Sequence, residues 1–209
     1  CLSANLGSLA EAAAAELRER PAIKSASGKA VIDRGKPSIH LDVTAAGTDT
    51  LAHAARAADE VAATTVGMLG DAIAVDPDNA EAFDGRAYMY LQLGDDSLAE
   101  QNALEATRLN PNMARAQGRL GEAFFRQNNY TEAIKALEKA VSMYGRATDL
   151  NARFFNMLAT AYIRRDLSEC NLAAPLFEQV LDATTNELIV GQANEGLLEC
   201  RRATLGSDQ

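Results

Sequence analysis

Cysteine and histidine are the side chains in this sequence with the most versatile chemistry, since both bind metals and both serve in catalysis. The chain contains three cysteines, Cys1, Cys170 and Cys200, and two histidines, His40 and His53. The histidines lie in different segments and form no recognisable pattern of zinc ligands. The sequence therefore predicts no metal site.

The cysteines suggest covalent chemistry of a different kind. Cys1 is the first residue, and an N-terminal cysteine is the residue that carries acyl chains in bacterial lipoproteins. The alternative is that the sequence simply begins there. Lipidation of Cys1 would leave Cys170 and Cys200 as an even pair, which suits an oxidising compartment. Two free buried thiols are the alternative for that pair.

Composition argues against several classes of protein. The net charge of −9 disfavours nucleic-acid binding, which needs clustered Lys and Arg to neutralise phosphates. No apolar run approaches the roughly 18 residues of a membrane-spanning helix. There is no Gly-rich phosphate loop, nucleophile elbow or Ser/His/Asp set. We therefore expect a protein without enzymatic activity, without a cofactor and without nucleic acid as a partner.

A repeat of 34 residues organises the centre of the chain. Residues 80–145 pass twice through one pattern, in which small and aromatic residues recur at the same places. The equivalent pairs are Ala87 and Gly121, Tyr90 and Phe124, Ala99 and Ala133, and Ala106 and Ala140. Each copy is long enough for two short helices, and small residues let helices approach closely. A period of this size is typical of stacked helical hairpins.

A third copy follows at a displaced spacing. Phe155, Leu158 and Tyr162 repeat the earlier pattern at a separation of 38 residues, so the extra residues lie within 145–151. The displacement is expected to shift the array of helices locally.

The last two predicted helices, residues 169–183 and 184–205, contain Cys170 and Cys200. Consecutive helices with a short connection run antiparallel, which brings the two cysteines to the same level of the pair. A disulfide between them is geometrically reasonable if they face each other.

The chain before the repeat has three parts. Residues 2–20 have an amphipathic helical pattern that Pro21 ends. Residues 22–48 contain turn residues and short apolar runs, which fit a β-hairpin or an extended arm equally well. A long helical pattern runs from residue 49 to residue 75. We predict an all-α solenoid of hairpins over residues 49–205, preceded by the segment 22–48 and by the N-terminal helix within residues 1–21.

The repeat resembles the tetratricopeptide repeat. The small pair, the aromatic residue, the later alanines and the closing proline appear in one copy as Arg86-Ala87, Tyr90, Ala99, Ala106 and Pro111. The resemblance covers about residues 59–183. It implies a superhelix whose first helices line a concave face that binds protein partners.

The resemblance also implies which side chains line that face. The predicted partner-binding residues are Asp84, Tyr88, Arg115, Glu122, Phe125, Arg126, Arg153, Asn156 and Arg164. Four arginines against two carboxylates predict a locally basic groove for an acidic partner, although an ordinary solvated face is the alternative. Asp84 stands where the family's chaperone-tail clamp has its first lysine, so that specificity does not carry over.

The leading hypothesis is a scaffold of the bacterial envelope, lipid-anchored through Cys1 or periplasmic, which holds a protein partner or a neighbouring subunit. A cytoplasmic adaptor or co-chaperone is one alternative. A structural subunit of a large complex, in which residues 22–48 grip a neighbour, is another.

Overall fold

The computed structural model describes residues 23–33, 36–45 and 50–206, and it describes side chains from Asp59 to Ala203. The chain divides into two compact units, residues 1–75 and residues 76–209. The predicted helix over residues 2–20 and the predicted lipidation of Cys1 lie outside the described residues.

The first unit contains a β-hairpin and a long helix. Strand β1 (Ile23–Asp33) and strand β2 (Lys36–Ala45) are antiparallel, with Lys29 opposite His40. Helix α1 (Thr50–Val75) follows and contacts β2. Of the two possibilities left open for residues 22–48, the structure contains the hairpin. It also groups α1 with that hairpin, whereas the sequence placed this helix at the start of the solenoid.

The described part of the second unit contains seven α-helices and a short 3₁₀ helix (Leu167–Glu169). The α-helices are α2 (Ala80–Leu93), α3 (Asp96–Leu109), α4 (Ala114–Arg126), α5 (Tyr130–Tyr144), α6 (Ala152–Arg165), α7 (Cys170–Ala183) and α8 (Glu187–Gly206). Helices α2 and α3, α4 and α5, and α6 and α7 form three hairpins, and α8 packs on α6 and α7. The predicted solenoid of helical hairpins is confirmed. None of the helices in the described ranges is long and apolar enough to cross a bilayer.

The turns inside the first two hairpins repeat the same hydrogen bonds. The N–H groups of Gly94 and Asp95 donate to the carbonyls of Leu91 and Tyr90, at 3.4 and 3.0 Å. In the next hairpin, Asn128 and Asn129 donate to Phe125 and Phe124 at 3.0 and 2.9 Å. Gly94 (φ 78°) and Asn128 (φ 59°) both adopt the left-handed conformation that ends a helix. The side chains of Asp95 and Asn129 then cap the second helices, α3 and α5.

The small residues of the repeat lie at the closest helix contacts. Ala87, Ala99, Ala106, Ala133 and Ala140 are all fully buried. A Cβ atom on Gly121 would lie 2.4 Å from Cγ of Leu137, which is closer than real Cβ contacts allow. The small residues of the pattern are therefore buried, and at Gly121, where α4 meets α5, there is no room for a larger side chain.

The extra residues of the third copy form an ordered loop between α5 and α6. Asn151 is 5% exposed, accepts from the backbone N–H of Thr148 at 2.6 Å, and donates to the carbonyl of Arg146 at 3.2 Å. Asp149 accepts a hydrogen bond from the hydroxyl of Thr184, which follows α7. The loop is thereby fixed to the end of the third hairpin.

Candidate functional site

Buried ion pairs join the first hairpin to the second. Asp84 of α2 is 1% exposed, and its Oδ2 atom contacts both Arg115 and Arg119 of α4. Arg115 also contacts Glu81. Nη1 of Arg119 donates to the backbone carbonyl oxygen of Asp84 at 2.7 Å. These charge-assisted bonds offset much of the cost of burying the carboxylate, although its other oxygen, Oδ1, is buried without a hydrogen-bond partner among the described residues.

A second group of ion pairs surrounds Glu122 of α4, which is 2% exposed. Its Oε1 accepts from Nη2 of Arg126 at 2.8 Å, and Nη2 of Arg153 in α6 lies 3.6 Å from Oε2. Nη1 of Arg126 donates to the carbonyl oxygen of Leu91 at 2.6 Å and lies 3.7 Å from Oδ1 of Asp96. Glu122 therefore connects the second hairpin to the third, and Arg126 connects it to the first.

These contacts bear on the prediction of a locally basic groove, because they pair most of its charges within the chain. The two groups contain four guanidiniums (Arg115, Arg119, Arg126 and Arg153) and four carboxylates (Glu81, Asp84, Asp96 and Glu122). Of the four arginines expected to attract an acidic partner, Arg115, Arg126 and Arg153 are paired with carboxylates of the same chain, and Arg164 is not among these ion pairs. Asp84 and Glu122, predicted as partner-binding residues, are buried among these ion pairs.

Aromatic rings cover part of the same charges. The guanidinium of Arg119 lies 4.7 Å from the ring centre of Tyr88, and that of Arg153 lies 4.5 Å from the ring centre of Phe154. Burial lowers the pKa of Arg119, and the charge of Asp84 opposes that change. Tyr88, predicted as an apolar anchor for a partner, packs against an arginine of the next hairpin.

A pocket of about 280 Å³ lies where α4, α6 and α8 meet. Phe125, Asn156 and Arg164 all line it, so the structure brings these three predicted residues together. The other lining residues are Met157, Thr160, Ile163, Gln192, Glu195, Gly196 and Glu199. Of the remaining predicted residues, Asp84, Arg115, Glu122, Arg126 and Arg153 lie in the ion pairs described above, and Tyr88 lies against Arg119.

The pocket combines amide groups with apolar side chains. Asn156 is 5% exposed, and its Nδ2 donates to Oε1 of Gln192 at 2.9 Å. Its Oδ1 is buried and has no hydrogen-bond donor among the described residues. The hydroxyl of Thr160 donates to the carbonyl of Asn156 at 2.8 Å. Phe125 packs edge-to-face against Tyr130, with ring centres 5.6 Å apart.

Three ionisable side chains line the pocket: Arg164 on α6, and Glu195 and Glu199 on α8. Within residues 59–203, none of the three forms a hydrogen bond or an ion pair. Sequence reasoning did not predict Gln192, Glu195 or Glu199 as site residues, because α8 has no copy of the repeat to place them. Across residues 23–33, 36–45 and 50–206, no cluster of three or more His, Cys, Asp or Glu could hold a metal ion.

A disulfide joins α8, the helix that forms one wall of this pocket, to α7. Cys170 is the first residue of α7, Cys200 lies in α8 directly after Glu199, and their Cα atoms are 5.3 Å apart. Both cysteines are buried. Near its middle, α8 also approaches α7 closely, since a Cβ atom on Gly196 would lie 2.3 Å from the ring of Phe177. The pocket wall formed by α8 is therefore fixed both covalently and by packing.

Comparison with known proteins identifies the repeat. Residues 90–152 match the family model of the tetratricopeptide repeat. A curated relative, small glutamine-rich tetratricopeptide repeat-containing protein 2 of Mycosarcoma maydis, is 34% identical over 74 residues. Those residues are 35% of this chain and 21% of the relative, so the chain spans about a fifth of that protein. The resemblance predicted from the sequence is confirmed for the matched residues.

Solved structures show the same fold. A crystal structure of MamA has a TM-score of 0.52 at 15% identity and covers 78% of this chain and 98% of that one. Another MamA crystal structure has a TM-score of 0.51 at 20% identity, covering 64% of this chain and 71% of that one. At these identities the likeness concerns the fold alone.

Proposed function

We propose that this array of tetratricopeptide repeats is a non-enzymatic protein-interaction scaffold that binds a segment of a partner protein in the pocket between α4, α6 and α8. The observation that carries the proposal is that this pocket combines three charged side chains without a partner in residues 59–203 with a half-buried aromatic ring, Phe125, while the other predicted charges are paired within the chain. Aromatic anchors surrounded by polar groups are typical of binding hot spots. The matched repeat supports this function, because tetratricopeptide arrays serve as protein-binding surfaces.

The test is site-specific photo-crosslinking in the source organism. A photoreactive benzoylphenylalanine in place of Phe125 is expected to capture a defined partner, identified by mass spectrometry. The same residue in place of Gln101, exposed on α3, is the matched control. Capture of the same protein from both positions, or from neither, would contradict a binding site at the pocket.

We also propose that the protein works in an oxidising compartment, which for a bacterial source is the cell envelope. The support is the bond between Cys170 and Cys200, since disulfides persist in such compartments and are rare in the cytosol. Protein isolated from its source under alkylating conditions is expected to show no reactive thiol from either cysteine. Two reactive thiols would contradict the envelope location and favour the cytoplasmic adaptor.

A further inference from the structure

The pocket between α4, α6 and α8 is lined by two acidic side chains and one basic side chain, so its net charge is negative. Glu195 and Glu199 lie four residues apart on α8, so they share one face of the helix. Like charges at this spacing repel, and neither carboxylate is paired within residues 59–203. Arg164 supplies one positive charge against these two. A cation from outside would therefore remove a repulsion that the chain itself leaves in place.

The pocket is also lined by a residue, Asn156, whose side chain contains a hydrogen-bond acceptor without a donor among the described residues. Oδ1 of Asn156 is buried without a hydrogen-bond donor among the described residues, although its amide nitrogen is bonded to Gln192. Beside it, Phe125, Met157 and Ile163 provide apolar contact. A side chain with a methylene stem and a charged, hydrogen-donating end matches both features, because the stem packs on apolar groups while the end bonds to oxygens.

The size of the pocket favours a single side chain. Its volume of about 280 Å³ is just below the range of roughly 300–1,000 Å³ that holds drug-sized ligands. We infer that the pocket between α4, α6 and α8 binds a lysine or arginine side chain presented by a segment of the partner protein, with Glu195 and Glu199 as the charge-pairing residues. This inference depends on the proposed function. It predicts a positively charged partner segment, whereas the sequence predicted an acidic partner.

The experiment is selection from a displayed library of random peptides on the full chain. Peptides rich in lysine or arginine are expected to be enriched. One enriched peptide is then measured by fluorescence anisotropy against three variants whose fold is checked by circular dichroism. Glu195→Gln with Glu199→Gln removes the attraction, Arg164→Gln removes the competing cation, and Glu178→Gln, exposed on α7, is the control.

The two kinds of pocket variant are expected to change the affinity for the peptide in opposite directions. The double glutamine variant should bind the peptide about five-fold or more weakly, and Arg164→Gln should bind it about two- to five-fold more tightly, both effects shrinking at high salt. Glu178→Gln should leave the affinity unchanged. An acidic partner would instead bind Arg164→Gln more weakly.

Two results separate failure of this inference from failure of the proposed function. Enrichment of acidic or uncharged peptides that still contact the pocket would overturn the choice of a basic side chain and leave the scaffold function standing. Enrichment of basic peptides that bind the double glutamine variant as well as the original chain would also overturn it. If no peptide is enriched and crosslinking from position 125 captures no partner, both proposals fail.

Discussion

Nη1 of Arg119 bonds Asp84 twice, once at the backbone carbonyl oxygen 2.7 Å away and once at the carboxylate. The same carboxylate contacts Arg115, so one acidic side chain that is 1% exposed contacts two guanidiniums of the next hairpin, of which Arg115 also pairs with Glu81. Because Arg119 is itself largely buried, with an 11% exposed side chain, no solvent is available to replace the lost partner if the carboxylate is removed.

Replacing Asp84 with alanine is therefore expected to lower the free energy of unfolding by about 3–5 kcal/mol, since it leaves a buried guanidinium without a counter-charge. Urea unfolding followed by circular dichroism measures the change. Glu105→Ala is the control, because Glu105 pairs with Arg108 on the exposed face of α3, where solvent and salt screen the pair and it contributes little to stability. Equal effects of the two substitutions would show that burial of the Asp84 pair is not important.

The same substitution at two glycines should have opposite effects. Gly121→Ala forces a Cβ atom against Leu137, and overpacking of this kind costs roughly 1–3 kcal/mol. Gly191→Ala, in α8, meets nothing within 4 Å and should stabilise its helix by about 0.5–1 kcal/mol. Thermal melting of both variants distinguishes them, and a Gly121→Ala protein that melts no lower than the original would contradict the close contact of α4 with α5.

Loss of the disulfide should loosen α8. The bond closes a loop with a sequence separation of 30 residues, so replacing Cys170 and Cys200 with serine is expected to lower stability by roughly 3–4 kcal/mol in the chain-entropy account. Melting temperatures with and without a reducing agent test this. The reducing agent should lower the melting temperature of the original chain and have no effect on the double serine variant.

The two arginines that the sequence treated alike should now behave differently. Arg126→Glu deprives the buried Glu122 of its close partner and adds a second carboxylate beside it, so we expect a loss of roughly 3 kcal/mol or more. Arg164→Glu changes an exposed side chain without a partner in residues 59–203 and should alter stability by less than about 0.5 kcal/mol. Chemical unfolding of both variants is the measurement. A stable Arg126→Glu protein would mean that its ion pairs contribute little.

The sequence predicted the features that recur in each repeat, and it missed the side-chain contacts that join one hairpin to the next. Gly121 could be placed at a close helix contact because its equivalent, Ala87, stands 34 residues earlier in a matching pattern. The pairing of Glu122 with Arg153 could not be predicted, because a sequence gives the face on which a long side chain lies but not which neighbour it bonds. The pocket residues on α8 were missed for a related reason, since Gln192 belongs to a helix outside the repeat.

The disulfide between α7 and α8 also affects the order in which the helices of the second unit open. In an array of repeats each unit contacts its neighbours alone, so terminal helices open more often than central ones. The bond between Cys170 and Cys200 keeps α8 attached while its backbone hydrogen bonds break and reform. Within the second unit, amide hydrogens should therefore exchange with solvent first in the α2–α3 hairpin and later toward α7 and α8, which gives the unfolding of the array a direction.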